Sequence, residues 1–349
     1  MRRKLKNTLL LSSDEYAVVE GETGTHVATK DFCSCIGYAT RKKCKHIELV
    51  KNMKLIDVDE KKEKMSRKFS SSLNAVRKLF DDEPYTNNAI FAVYGEAKVG
   101  KTLFCIQEAT WLNAKGHNVL YIDTEGGTDA MIEKWRGVLI ERFGQGKGKL
   151  IYGSEKSVMG LLNEFGIEGE IKAKGEKMEF HVNKLNIEKS KIVKAINDLK
   201  IDFLILDSLS APFRQITTTQ QNFPVRADMM AILLTTILDI MNKHGVGVIV
   251  TNHASLNPAK PYQSVDATMM RGGSVVQYYC KRVIYISRRM KKEFKDIRKF
   301  WLVRAEDVQD WSRVSGAKIT DVGYVDISDD ELRMALTDGE VERIETNNQ

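Results

Sequence analysis

The sequence predicts an α/β protein: a core with a mostly parallel sheet, preceded by a small metal-stapled module. Three observations lead there. Apolar runs of six or seven residues (AIFAVYG, NVLYID, IDFLILD and VGVIVTN) alternate with helix-length segments. Strands apolar on both faces belong in a parallel sheet covered on both sides. The first run passes into a glycine-rich loop, YGEAKVGKT, which leads into a predicted helix. Near the start, FCSCIGYATRKKCKHI gathers three of the five cysteines with one of the six histidines.

The elements follow in chain order. TLLLS, YAVVEG and THVATKDF, with Gly21 and Gly24 between them, read as two or three strands with a turn. KHIELVKNM reads as a short helix, so residues 1–56 form a ββα-like unit. DVDEKKEKMSRK has no apolar period and reads as a charged linker, and SSSLNAVRKLF as a helix with serine capping candidates; together they occupy residues 57–87. The core, residues 88–340, opens on AIFAVYG, followed by a helix over 101–115, strand NVLYID and helix TDAMIEKWRGVLIERFG. KLIYG and SVMGLLNEFG give a further strand and helix. GIEGEIKAKGEKMEFHV alternates like a surface hairpin. Strand IDFLILD, the long helix RADMMAILLTTILDIMNKHG and strand VGVIVTN come next, and KRVIYISRR, KFWLVRAE and GYVDIS close the core as strands. Residues 341–349 read as a tail.

Composition narrows the classes. With 42% hydrophobic residues the chain can build a sizeable core. It has no apolar run of about 18 residues, so no membrane span is expected. The basic start carries too short an apolar run for a signal peptide, which predicts a cytoplasmic protein. Clustered thiols there favour metal over disulfide. The net charge of +7 is uneven: residues 1–80 carry 18 Lys and Arg against 10 Asp and Glu. A basic module beside a near-neutral one suggests a polyanionic partner, with a solubilising arm as the alternative.

The loop Gly95, Glu96, Ala97, Lys98, Val99, Gly100, Lys101, Thr102, Leu103 fits G-x-x-x-x-G-K-[ST] between a strand and a helix. Its N–H groups and the helix start would hold phosphates, Lys101 would reach the β- and γ-phosphates of ATP, and Thr102 would hold Mg2+. Asp207, ending FLILD, is the expected second magnesium residue. Glu125, just beyond strand VLYID, is the expected base for water, with Asp123 its competitor.

At this point the chain resembles the RecA/RadA recombinase family over roughly residues 88–305, on the order YIDTEGG, FLILDSLSAPFR, VIVTNHA and RGGSVVQYYCKRVIYISRR. The resemblance implies a RecA-like P-loop core and a DNA-dependent ATPase acting in recombination or repair. It implies a polar sensor at Asn252 and His253, where the family usually has Gln; a His could also bond a γ-phosphate but would titrate. It implies two loops that bind single-stranded DNA, carrying Arg214 and Arg226 in the first and Arg271, Gly272 and Gly273 in the second. It further implies self-assembly into a filament or ring and a nucleoid-associated location. The family's N-terminal helical DNA-binding domain is absent, which keeps two alternatives open: a paralog acting as mediator for a partner recombinase, and a DnaB-type hexameric helicase. Phe69 stands where recombinases use an aromatic to dock on the neighbouring subunit; plain helix packing is the other reading.

Cys33, Cys35, Cys44 and His46 make C-x-C-x8-C-x-H, which resembles the SWIM zinc-binding domain. Four N/S ligands would close a structural Zn2+ tetrahedron, replacing a core that so short a segment could barely build. Arg41, Lys42, Lys43 and Lys45 surround the ligands, which suits DNA or protein contacts.

Overall fold

A computed structural model describes residues 8–12, 16–21, 24–29, 32–35, 44–52, 67–174, 177–216, 223–256, 268–288, 291–308, 313–337 and 340. The linker over 57–66, Arg41, Lys42 and Lys43, loop segments 217–222 and 257–267, and the tail 341–349 lie outside the described residues.

The N-terminal unit is a meander, β1 (Thr8–Ser12), β2 (Tyr16–Gly21) and β3 (Gly24–Thr29), followed by helix α1 (Lys45–Asn52). The expected ββα-like unit therefore has a third strand. A lone two-stranded hairpin is marginal in water, and the extra strand widens the face available for packing.

A short pair, β4 (Lys68–Phe69) and β5 (Tyr85–Thr86), flanks helix α2 (Asn74–Leu79). None of the preceding serines caps α2. Its first amides donate instead to the Asp326 carboxylate, Asn74 N at 3.0 Å and Ala75 N at 2.7 Å. Ser71 and Ser72 turn to the buried Glu108. Phe69 is buried in its own chain, edge-on to Phe203 at 5.3 Å, as the packing reading expects.

The core then alternates strand and helix: β6 (Ile90–Gly95), α3 (Lys101–Ala114), β7 (Val119–Asp123), α4 (Thr128–Phe143), β8 (Leu150–Ser154), α5 (Val158–Glu164). A hairpin, β9 (Ile167–Lys174) and β10 (Lys177–Leu185), interrupts before α6 (Lys191–Leu199), β11 (Phe203–Asp207), α7 (Phe223–His244) and β12 (Gly247–Leu256). Short β13 (Thr268–Met270) and α8 (Ser274–Tyr279) lead to β14 (Cys280–Ser287), β15 (Ile297–Ala305), β16 (Val314–Thr320), β17 (Gly323–Asp326) and α9 (Asp329–Ala335).

The sheet order is β17-β16-β15-β14-β6-β12-β11-β7-β8, with β13 paired to β12. From β14 to β8 neighbours are parallel; the β14–β17 edge is antiparallel. Every residue of β6, β7 and β11 is buried, as expected for strands covered on both faces. The β9–β10 hairpin is less superficial than its alternation suggested. Ile167, Phe180 and Val182 are buried, and β10 packs against β3 and α7. Among the described residues no helix is long and apolar enough to cross a membrane.

Candidate nucleotide site and metal centre

Strand register collects the residues predicted for a phosphate site. His253 pairs with Gly95 across β12 and β6, and Asp207 with Asp123 across β11 and β7. All four lie at the carboxyl edge of the parallel strands, where crevices open in such sheets.

The loop between β6 and α3 depends on its glycines. A Cβ on Gly95 would sit 2.5 Å from the Ile286 carbonyl oxygen. Gly100 has φ of 109° and would meet the Tyr324 hydroxyl at 2.3 Å. That hydroxyl lies 3.4 Å from the Val99 carbonyl, which also accepts the Arg298 Nε–H at 2.8 Å. The antiparallel edge thus props the loop from behind, a role not visible in GYVDIS. Lys101 is buried, with Nζ donating to the carbonyls of Gly95 at 3.1 Å and Glu96 at 2.8 Å. Burial pulls its ammonium below the usual value, opposed by the charges of Asp207 and Glu125.

Asp207 accepts the Tyr121 hydroxyl at 2.7 Å and the hydroxyls of Thr251 and Thr102. Burial pushes its carboxyl up and these bonds pull it back. Thr102 and Asp207 are thus already adjacent, an all-oxygen pair suited to Mg2+. Tyr121 and Thr251 sit in apolar runs and read from sequence as core.

The two carboxylates after β7 have different surroundings. Asp123 accepts the amides of Glu125 and Gly126, each at 2.9 Å, the Thr128 amide at 3.2 Å and the Tyr152 hydroxyl at 2.9 Å. Four donors fill it, and it shapes the loop. Glu125 Oε1 faces Ser208 Oγ at 2.9 Å, Arg214 Nη2 at 3.3 Å and His253 Nε2 at 2.5 Å. The His253 hydrogen bond holds the Glu125 carboxyl down to about 2, aided by Ser208 and Arg214 against burial. It is ionised at any working pH, as a base must be, yet three side chains occupy one oxygen.

His253 therefore meets Glu125. Asn252 is buried; its amide donates to the Arg271 carbonyl at 2.8 Å and its oxygen accepts the His253 amide at 2.7 Å. The Arg271 amide donates to the His253 carbonyl at 2.9 Å. Arg214 is exposed; Arg226 and Arg271 are half-buried. Arg271 lies close enough to both others for their charges to interact. Gly272 and Gly273, both at positive φ, turn the chain into α8.

The cysteine cluster assembles as expected. One ligand atom each from Cys33, Cys35, Cys44 and His46 lies within 4.8 Å of all the others, with Cys33 Sγ 3.5 Å from His46 Nδ1. A Zn2+ tetrahedron with ligands at about 2.0–2.3 Å has edges of roughly 3.5–3.8 Å, so a small contraction closes it. The hydrogen bond with Cys35 and burial push the Cys33 thiol far up. Cys105 and Cys280 are buried elsewhere.

No protein-family model matches the chain, and no curated protein matches it.

Proposed function

We propose that this protein is an ATPase of the RecA/RadA type that binds single-stranded DNA and assembles on it, with a structural zinc module at its N-terminus. The observation that carries the reading is the convergence of Lys101, Thr102, Asp207 and Glu125 at the carboxyl edge of the parallel strands. Mg2+ between Thr102 and Asp207 would neutralise charge on the β- and γ-phosphate oxygens. In this reading Lys101 exchanges the Gly95 and Glu96 carbonyls for phosphate oxygens, Tyr121 and Thr251 hold the Asp207 carboxylate in place, and Glu125 takes the proton of the attacking water. Glu125 can do so once it turns from His253 and Arg214.

The crowding of Arg214, Arg226 and Arg271 supports a polyanion site, and the placement of Arg214 and Arg271 near Glu125 supports coupling of DNA to hydrolysis. Their loops carry few aromatics, which suits backbone tracking more than base readout. The decisive experiment measures single-stranded DNA binding and ATP turnover together, with and without ATP, and images the complexes. Filaments or rings with DNA-stimulated turnover support the reading. Nucleotide binding without DNA binding would move the mediator reading ahead.

A further inference from the structure

The metal module is fastened to the core by one buried carboxylate. Asp228 lies in the first turns of α7, fully inside the protein. Its Oδ1 is 3.1 Å from Nδ1 of His26, on β3. His26 is 2% exposed, and its ring packs on that of His46 with centroids 4.9 Å apart. The same carboxylate accepts the Ser34 hydroxyl. Ser34 is the residue between Cys33 and Cys35, and its oxygen also accepts the Val27 amide at 3.1 Å. The Ser34 amide donates to the Val27 carbonyl at 2.9 Å. Asp228 therefore touches both halves of the ligand set: the Cys-Ser-Cys knuckle directly, and His46 through His26. Val27 joins the same apolar cluster as α7, closing the contact around the polar pair.

We infer that Asp228 is a positioning residue for the metal centre, supplied by the core helix, and that metal occupancy in turn orders the first turns of α7. The inference rests on the zinc reading of the four ligands. Outer-shell carboxylates that orient ligands change metal affinity by about 10–100-fold when altered. Coupling between two sites is reciprocal, so what the helix gives the metal, the metal gives the helix. Arg226 stands two residues before Asp228 on that helix. Fixing the carboxylate thus fixes the turn from which one of the three crowded arginines projects. This assigns the zinc module a bracing role toward the core, distinct from contact with DNA through its own basic residues.

The test uses the full chain. Zinc affinity is measured by competition with a chromophoric chelator for the wild type, Asp228→Asn and His26→Gln; the second variant changes the module side should the first not fold. Cobalt-loaded protein reports ligand geometry through its thiolate and d–d absorption. Amide exchange is followed across residues 225–232 before and after zinc is withdrawn. The expected result is a 10–100-fold weaker affinity in either variant, a preserved tetrahedral cobalt spectrum, and faster exchange over 225–232 in the metal-free wild type. Unchanged affinity in both variants, or exchange in α7 that ignores zinc, overturns the inference and leaves the zinc site standing. A wild-type chain that takes up no zinc overturns both.

Discussion

Glu125 and Asp123 are two residues apart, and their partners differ: loop amides and a tyrosine hydroxyl for Asp123, side chains from three distant segments for Glu125. Asp123 is saturated by three amides and a tyrosine hydroxyl, so Asp123→Asn places an NH2 group against donors. Stability should fall by about 1–3 kcal/mol, the cost of a buried donor left unmade, seen as a lowered denaturation midpoint. Glu125→Gln should leave nucleotide binding nearly unchanged and abolish turnover, because the proton acceptor is removed. Normal hydrolysis by Glu125→Gln would place the base elsewhere. His253→Ala should remove one of the three side chains on Glu125 Oε1 and leave Ser208 and Arg214. The Glu125 pKa, held at about 2 chiefly by that hydrogen bond, should rise toward the ordinary carboxylate value of about 4.3. The sign follows: a depressed folded pKa contributes stability above the unfolded value that is lost as pH falls toward 2. The wild type should therefore lose stability more steeply than His253→Ala between about pH 4.3 and 2. Parallel acid titrations of the two proteins would show it.

Two elements are held by polar groups from far along the chain. Glu108 on α3 accepts the Ser71 hydroxyl at 3.0 Å, the Ser72 amide at 3.2 Å and the Tyr85 hydroxyl at 2.9 Å, pinning the segment before α2 to the core. Glu108→Ala would strand these donors, and a loss of several kcal/mol is expected, read by chemical denaturation. Asp326 caps α2 where the local serines do not. The serines of SSSLNAVRKLF were legible as capping types, but a fully buried carboxylate 36 or 37 residues away, which hydrogen-bonds them, was not. In the N-terminal module, Cys44→Ala should release the metal and unfold the meander while the core stays folded, since structural zinc contributes roughly 10–16 kcal/mol at neutral pH. Metal analysis should give one zinc per chain for the wild type and none for the variant; a folded, zinc-free module would refute the site.

At the scale of the whole molecule, the basic excess of the first 80 residues and the three crowded arginines both bear on a polyanion. Deleting the module would bare the apolar surface of the core that Val27 covers and strand Asp228, so charge substitution is the cleaner probe. Arg214→Ala and Arg271→Ala should each weaken single-stranded DNA binding similarly for all sequences, and each lost phosphate contact should reduce the log–log salt slope by about 0.7. Replacing Arg41, Lys42 and Lys43 with Gln should leave that slope unchanged if the module only braces α7, and flatten it if the module touches DNA.

The sequence by itself determined the alternation of buried strands and helices, the glycine loop opening α3, and the spacing of three cysteines and a histidine. These are local patterns: an apolar run, a turn that needs positive φ, ligands within fourteen residues. Only the tertiary structure decided which side chains meet. His253 reaches Glu125 because β12 and β11 lie between β6 and β7 in the sheet, an order no local pattern contains. Tyr121 and Thr251 look like core residues until that order places both on Asp207. His26, one histidine in a short strand, became part of the metal centre's surroundings when α7 brought Asp228 to it from 202 residues away. Strand order and helix docking are set by burial summed over the whole chain, and that sum cannot be read from any one stretch.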